Sequence, residues 1–316
     1  MTRRTGSGLL DVGDGHRLWW ETVGPADGSP VVWLHGGPGS GTGPGARRLL
    51  DPSRHLGVLL DQRGSGRSLA PRDPAAPDDP VLTDLSANTT DHLVADLERL
   101  REHVGVDRWV VAGGSWGSTL GLVYAQRHPE RVRALVLGPV TDGSWDDIAW
   151  ITRDVGRVWP REWEALAALV PDADLGDPLA VPAAYARLLA DPDPAVRAEA
   201  ARAWCAWEDT HVSLAPGWAP SARYADPAFR LRFARLVTHY WGHGCFLRDR
   251  EVLDGMPALR GVPGLLVHGR LDVSGPLSTA WRLHRAWPGS ELVVLDDTGH
   301  GGPSMREAVR QALRRT

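Results

Sequence analysis

The sequence predicts an α/β fold: a mostly parallel sheet with helices on both faces and a helical insertion between two of its strands. Three observations carry this. Short apolar runs stop abruptly at glycine-rich turns, helical periodicities separate them, and one long stretch lacks strand-like runs. Leu18 to Val23 alternates after the turn Gly13-Asp14-Gly15 and reads as a strand. Pro30 to Leu34 is continuously apolar and ends at His35-Gly36-Gly37-Pro38-Gly39, as expected of a strand buried on both faces. Val58-Leu59-Leu60 repeats the pattern and ends at Asp61-Gln62-Arg63-Gly64. From Asp91 to His103, Leu93, Val94, Leu97 and Leu100 recur at helical spacing. Trp109 to Ala112 is the next buried strand; it stops at Gly113-Gly114-Ser115-Trp116-Gly117, and a helix follows from Thr119 to Arg127. Ala134–Leu137, Gly264–Val267 and Leu292–Leu295 complete the strands. Strands alternating with helices imply parallel pairing.

Between Thr141 and Gly255 the strand-like runs give way to segments rich in Ala, Arg, Leu and Trp, broken by Pro160, Pro171, Pro178, Pro192 and Pro194. The expected organisation is therefore a core in two parts, 1–140 and 256–316, around a helical cap, 141–255. At 316 residues the chain buries a large core without staples, and Cys205 and Cys245 could not form a disulfide framework. All 35 basic residues are arginines, scattered, with a formal net charge of -4, which sets nucleic acid aside as a partner. No apolar stretch reaches the roughly 18 residues of a membrane span. Asp11, Asp14, His16 and Arg17 interrupt the N-terminal segment, so no membrane partner and a cytoplasmic location are expected.

Gly113-Gly114-Ser115-Trp116-Gly117 fits the nucleophile elbow G-x-S-x-G. A serine in a tight strand-to-helix turn needs neighbours without bulk two residues away, and the strand before and helix after supply that context. A serine hydroxyl needs an adjacent base. In α/β-hydrolase order the acid and then the histidine follow the serine. His300, after the last strand, is the expected base, and Asp272, after the preceding strand, the expected acid, with Asp142 as its rival. The oxyanion would take the backbone N–H of Trp116 and one from the glycine loop, at Gly37. His35 is expected to bond neighbouring loops. No His, Cys and carboxylate cluster has metal-ligand spacing, so neither metal nor cofactor is expected.

Taken together these motifs resemble the proline iminopeptidases, serine exopeptidases of the α/β-hydrolase fold. Further matches are Asp61-Gln62-Arg63-Gly64-Ser65-Gly66-Arg67-Ser68, Asn88-Thr89-Thr90, Tyr124-Ala125, Trp204-Cys205-Ala206-Trp207-Glu208, His268-Gly269-Arg270 and Gly299-His300. The resemblance implies release of an N-terminal proline or other small residue from a peptide or small amide, without a metal. It also implies two cap carboxylates that bind the substrate amine. Glu208 falls on the first, and Val237 stands where the second acid is expected. Trp207 and Tyr240 complete the implied substrate-binding set. A specialised biosynthetic hydrolase or acyltransferase with a non-peptide substrate remains open, as does a non-catalytic ligand-binding protein on the same scaffold. The serine at the elbow disfavours an epoxide hydrolase or dehalogenase, which use aspartate there.

Overall fold

The apolar runs form the middle of an eight-stranded sheet in the computed structural model, which describes residues 5–79, 82–212, 214 and 217–316. The strands are β1 (Ser7–Gly13), β2 (His16–Val23), β3 (Ser29–Leu34), β4 (His55–Asp61), β5 (Trp109–Ser115), β6 (Val132–Val140), β7 (Gly264–Gly269) and β8 (Ser290–Leu295). Their order is β1-β2-β4-β3-β5-β6-β7-β8. β2 pairs antiparallel with both β1 and β4, and every other neighbouring pair is parallel. Strand β1 is absent from the sequence reading. It lies at the sheet edge with one face toward solvent, its register shifts between Asp11 and Gly13, and it carries no unbroken apolar run.

Period-two alternation divides the central strands between two cores. Val31, Val110, Ala112 and Val136 face one side, against α10 (Pro303–Arg314) through Met305, Val309 and Leu313. Val32, Leu34, Val111, Leu135 and Leu137 face the other. There they meet α1 (Thr90–His103), α2 (Trp116–Arg127) and α9 (Leu277–Ala286). Each such side chain contributes about 1.5–3 kcal/mol over its exposed state, which is why the runs are continuously apolar.

Between β6 and β7 the chain forms α3 (Trp145–Thr152), α4 (Pro160–Ala167), α5 (Ala180–Leu188), α6 (Pro194–His211), α7 (Pro227–Gly242) and α8 (Glu251–Asp254). Pro160, Pro194 and Pro227 do not break these helices but start them, occupying the first turn, where the missing N–H costs nothing. Asp193 and Asp226 precede two of them and cap Ala195 N–H at 2.8 Å and Ala228 N–H at 2.9 Å. A separate apolar cluster holds these helices together, with Tyr185, Trp204, Trp207, Phe233 and Val237 at its centre. Leu247, Val252, Met256 and Leu259 instead join the main core, and Gln126 of α2 bonds the Val252 carbonyl at 2.7 Å. The segment after α7 thus returns to the body before β7 begins.

Candidate active site

Ser115 ends β5 and caps α2 with φ 56° and ψ −129°, a left-handed conformation that costs a non-glycine residue on the order of 1–3 kcal/mol. Two hydroxyls hold that geometry: Ser118 Oγ and Thr141 Oγ1 donate to the Ser115 carbonyl at 2.7 and 2.8 Å. The glycines two residues away are obligatory. A Cβ at Gly113 would lie 2.4 Å from the Gly117 carbonyl oxygen, and one at Gly117 would lie 2.1 Å from that of Leu34.

The loop after β3 comes against this elbow. A Cβ at Gly36 would stand 3.2 Å from Ser115 Cβ, and Gly37 has φ +113°, which favours glycine. His35 fixes the loop, as expected of it. Its Nε2 accepts from Gln62 N–H at 2.9 Å, and Gln62 Nε2 donates to the His35 carbonyl at 2.9 Å. Gln62 Oε1 in turn accepts from the Trp116 indole at 2.9 Å, so one side chain ties the glycine loop to the residue after Ser115. Arg63 of the same motif bonds Asp96 on α1 at 2.6 and 2.9 Å, anchoring the segment from beneath.

His300 Nδ1 donates to Asp272 at 3.0 and 2.9 Å. Burial disfavours the Asp272 charge, but His300, then His268 and the Gly275 N–H, outweigh it and hold the carboxyl below its usual range. Its Oδ1 accepts from Ser274 N–H at 3.0 Å and Gly275 N–H at 3.1 Å. Burial likewise opposes the His300 imidazolium, yet Asp272, aided by Glu208, raises its pKa above the ordinary histidine value. His268, in the His268-Gly269-Arg270 motif, supports this loop: its Nε2 donates to the Gly275 carbonyl at 2.7 Å while Nδ1 accepts from Val140 N–H at 3.1 Å. Asp142 has another partner. It faces Asp147, whose carboxyl is pushed up by burial and by the Asp142 charge, and its Oδ1 accepts from Ser144 N–H at 2.9 Å.

Ser115, Trp116, Gly37 and His300 line one cavity of about 240 Å³, roofed by the cap. That is small beside the roughly 300–1,000 Å³ of drug-sized ligand sites. Glu208 of α6 reaches into it. Its Oε1 accepts from Trp204 Nε1 at 3.0 Å, and Oε2 lies 3.4 Å from His211 Nε2. Three residues expected to bind substrate do not line the cavity. Val237 is fully buried among the side chains of the cap cluster. Phe233 and Trp241, one turn to either side of it, line the wall instead. Trp207 packs in the same cluster and donates to the Ile151 carbonyl at 2.9 Å. Tyr240 lies behind Trp116, ring centroids 5.0 Å apart.

Asp147, Asp209, His211 and Ser274 line the cavity without having been singled out in the sequence. His211 could have been found, since it follows Glu208 by three residues on one helix face. Among the described residues no three His, Cys or carboxylate side chains gather as a metal site, and no helix is long and apolar enough to cross a membrane.

Residues 29–303 match the family model of the alpha/beta hydrolase fold. The chain is 54% identical over 298 residues to a probable proline iminopeptidase of Streptomyces coelicolor, covering 93% of this chain and 89% of that protein. It is 42% identical to a proline iminopeptidase of Arabidopsis thaliana, covering 93% and 74%. Among solved structures, a proline iminopeptidase of Mycobacterium smegmatis shares the fold, with TM-score 0.65 at 22% identity over 98% of each chain.

Proposed function

Because this chain belongs to the proline iminopeptidase family of α/β-hydrolase serine hydrolases, we propose that it releases an N-terminal proline, or another small residue, from short peptides and amides through an acyl-enzyme on Ser115. His300 takes the Ser115 proton as the hydroxyl attacks the scissile carbonyl. Asp272 keeps the imidazole in the tautomer with Nδ1 protonated and stabilises the imidazolium that forms. The backbone N–H groups of Trp116 and Gly37 receive the developing oxyanion. His300 then returns the proton to the leaving amine, and water enters by the same base to free the acyl group.

The observation that carries this reading is a carboxylate, Glu208, in the same small cavity as Ser115 and His300, close enough to His300 to favour its protonated form. A cationic amine held there would put the first residue's carbonyl at the serine and leave no room beneath the cap for a residue before it. The reading makes 141–255 the substrate-binding cap and 1–140 with 256–316 the catalytic body. The two buried, unbridged cysteines fit a reducing compartment, and we take the cytoplasm as the location.

The test compares L-prolyl 4-nitroanilide with 4-nitrophenyl cyclopentanecarboxylate, which has the same ring size and no amine. Glu208→Gln should lower the ratio of anilide to ester kcat/KM by about tenfold, through the lost charge-assisted bond. An equal loss on both substrates would make Glu208 structural and leave the exopeptidase reading without its support.

A further inference from the structure

The cap wall of the cavity contains a ring nitrogen that no group among the described residues bonds. His211 is 3% exposed, and its Nε2 has no hydrogen-bond partner among the described residues. The ring is held from its other side. Ser274 Oγ donates to the His211 backbone carbonyl at 3.0 Å, which uses the only hydroxyl proton. Its oxygen then accepts from His211 Nδ1–H at 2.6 Å. Trp207 packs against the ring with centroids 5.9 Å apart and keeps it from turning. In the tautomer with the proton on Nδ1, the ring presents a lone pair at Nε2.

That lone pair stands 3.4 Å from Glu208 Oε2. Two acceptors facing each other in a buried wall are unfavourable unless a donor lies between them. Glu208 Oε1 is already taken by the Trp204 indole, so Oε2 and Nε2 are the pair left to a ligand. Both residues line the cavity that holds Ser115. The ammonium of an N-terminal proline is secondary and carries two N–H donors, one for each acceptor. A primary ammonium carries three and leaves one unmatched.

We propose that His211 Nε2 and Glu208 Oε2 together bind the substrate's secondary ammonium, with the histidine lone pair as the second acceptor of the amine site. This rests on the aminopeptidase reading above and adds a specificity-determining residue to it. It also accounts for an apolar side chain at Val237, which is buried away from the cavity and has no part in the pairing.

Kinetics of the full chain with the same anilide and ester test it, using Glu208→Gln, His211→Asn and His211→Gln. Asparagine can keep the bond to Ser274 through its amide nitrogen but has no atom at the Nε2 position; glutamine reaches that position. His211→Asn should lower the anilide-to-ester ratio of kcat/KM about tenfold, chiefly through KM, the loss expected for one bond to a charged donor. His211→Gln should keep more of the ratio than His211→Asn. If Glu208→Gln lowers the ratio and His211→Asn does not, the histidine pairing is wrong and the aminopeptidase reading stands. If both His211 variants lose activity equally on the two substrates, His211 acts through Ser274 on the Asp272 loop, and the proposal is overturned. If Glu208→Gln itself leaves the ratio unchanged, both readings fall.

Discussion

The two walls of the cavity are built by different means. On the body side, backbone conformation carries much of the geometry: the left-handed Ser115, the glycines around it, and Asp272 held by two N–H donors. On the cap side, side chains on helices do the work, through contacts such as Trp204 to Glu208 and His211 to Ser274. The body wall leaves little freedom to its sequence. The cap wall is set by which helix face turns inward, so its chemistry can change while the fold stays. On the function proposed above, chemistry lies in the constrained half and recognition in the adaptable half.

The largest effect that would break this division is on the body side. Ser115→Ala should lower kcat/KM by about 10⁴-fold or more, since triad members act as a unit. A fluorophosphonate probe should label Ser115 in the wild type and nothing in the variant; labelling that survives the substitution would remove the serine from the chemistry.

Asp272→Asn should cost about 10⁴-fold in kcat by favouring the wrong tautomer of His300. It should also move the pH profile. In the proposed mechanism the neutral imidazole is the base, so activity should fall as pH drops through the His300 pKa. Burial lowers that pKa and Asp272 raises it to a net value above the ordinary one. With the carboxylate neutralised, burial acts with little opposition and the acid limb of residual kcat/KM should shift to lower pH. A limb that stays in place, or a larger loss in Asp142→Asn, would transfer the acid role elsewhere.

The body wall was legible in the sequence for the same reason that it is rigid. Gly113 and Gly117 are demanded by carbonyl oxygens 2.4 and 2.1 Å from where a Cβ would stand, so the motif writes the geometry into residue identity. His300 and Asp272 follow from strand ends, and strand ends follow from buried apolar runs. The cap wall was less legible. Glu208 was found through a motif, but Val237, Trp207 and Tyr240 share helices with cavity residues and point into packed neighbours. Helical spacing gives a face; only the packing of α5, α6 and α7 says which face is the cavity's. His211 shows in the sequence only through its spacing from Glu208; the contact that orients its ring, to Ser274, lies 63 positions away. Strand β1 was missed because an edge strand, half in water, has no need of an apolar run.

Val237→Glu sharpens the contrast between a position's place on a helix and its place in the fold. Val237 is 0% exposed and surrounded by the cap cluster. A carboxylate there should destabilise the protein by about 2–4 kcal/mol, through desolvation without a partner, rather than rebuild an amine site. Urea unfolding measures the loss. A gain in prolyl-anilide turnover with stability intact would mean that α7 rotates to deliver the new side chain to the cavity.

The smallest effect separates cap stability from cap function. Asp193 caps α6 through Ala195 N–H, and Glu208 lies fifteen residues further along the same helix. At 1.5 Å per residue, that is about 22 Å from the capped end. Asp193→Ala should therefore cost about 1 kcal/mol of stability. It should leave the anilide-to-ester ratio as it is, because Trp204 and Ser274 hold Glu208 and His211 locally at the far end. The first turn has its proline and loses only one acceptor, so fraying should stop there. A parallel change, Asp226→Ala on α7, should behave alike, since its Phe233 and Trp241 meet the cavity beyond the first turn. If either capping variant shifted the ratio, the recognition wall would depend on the whole length of its helices, and the cap would be as tightly determined as the body it covers.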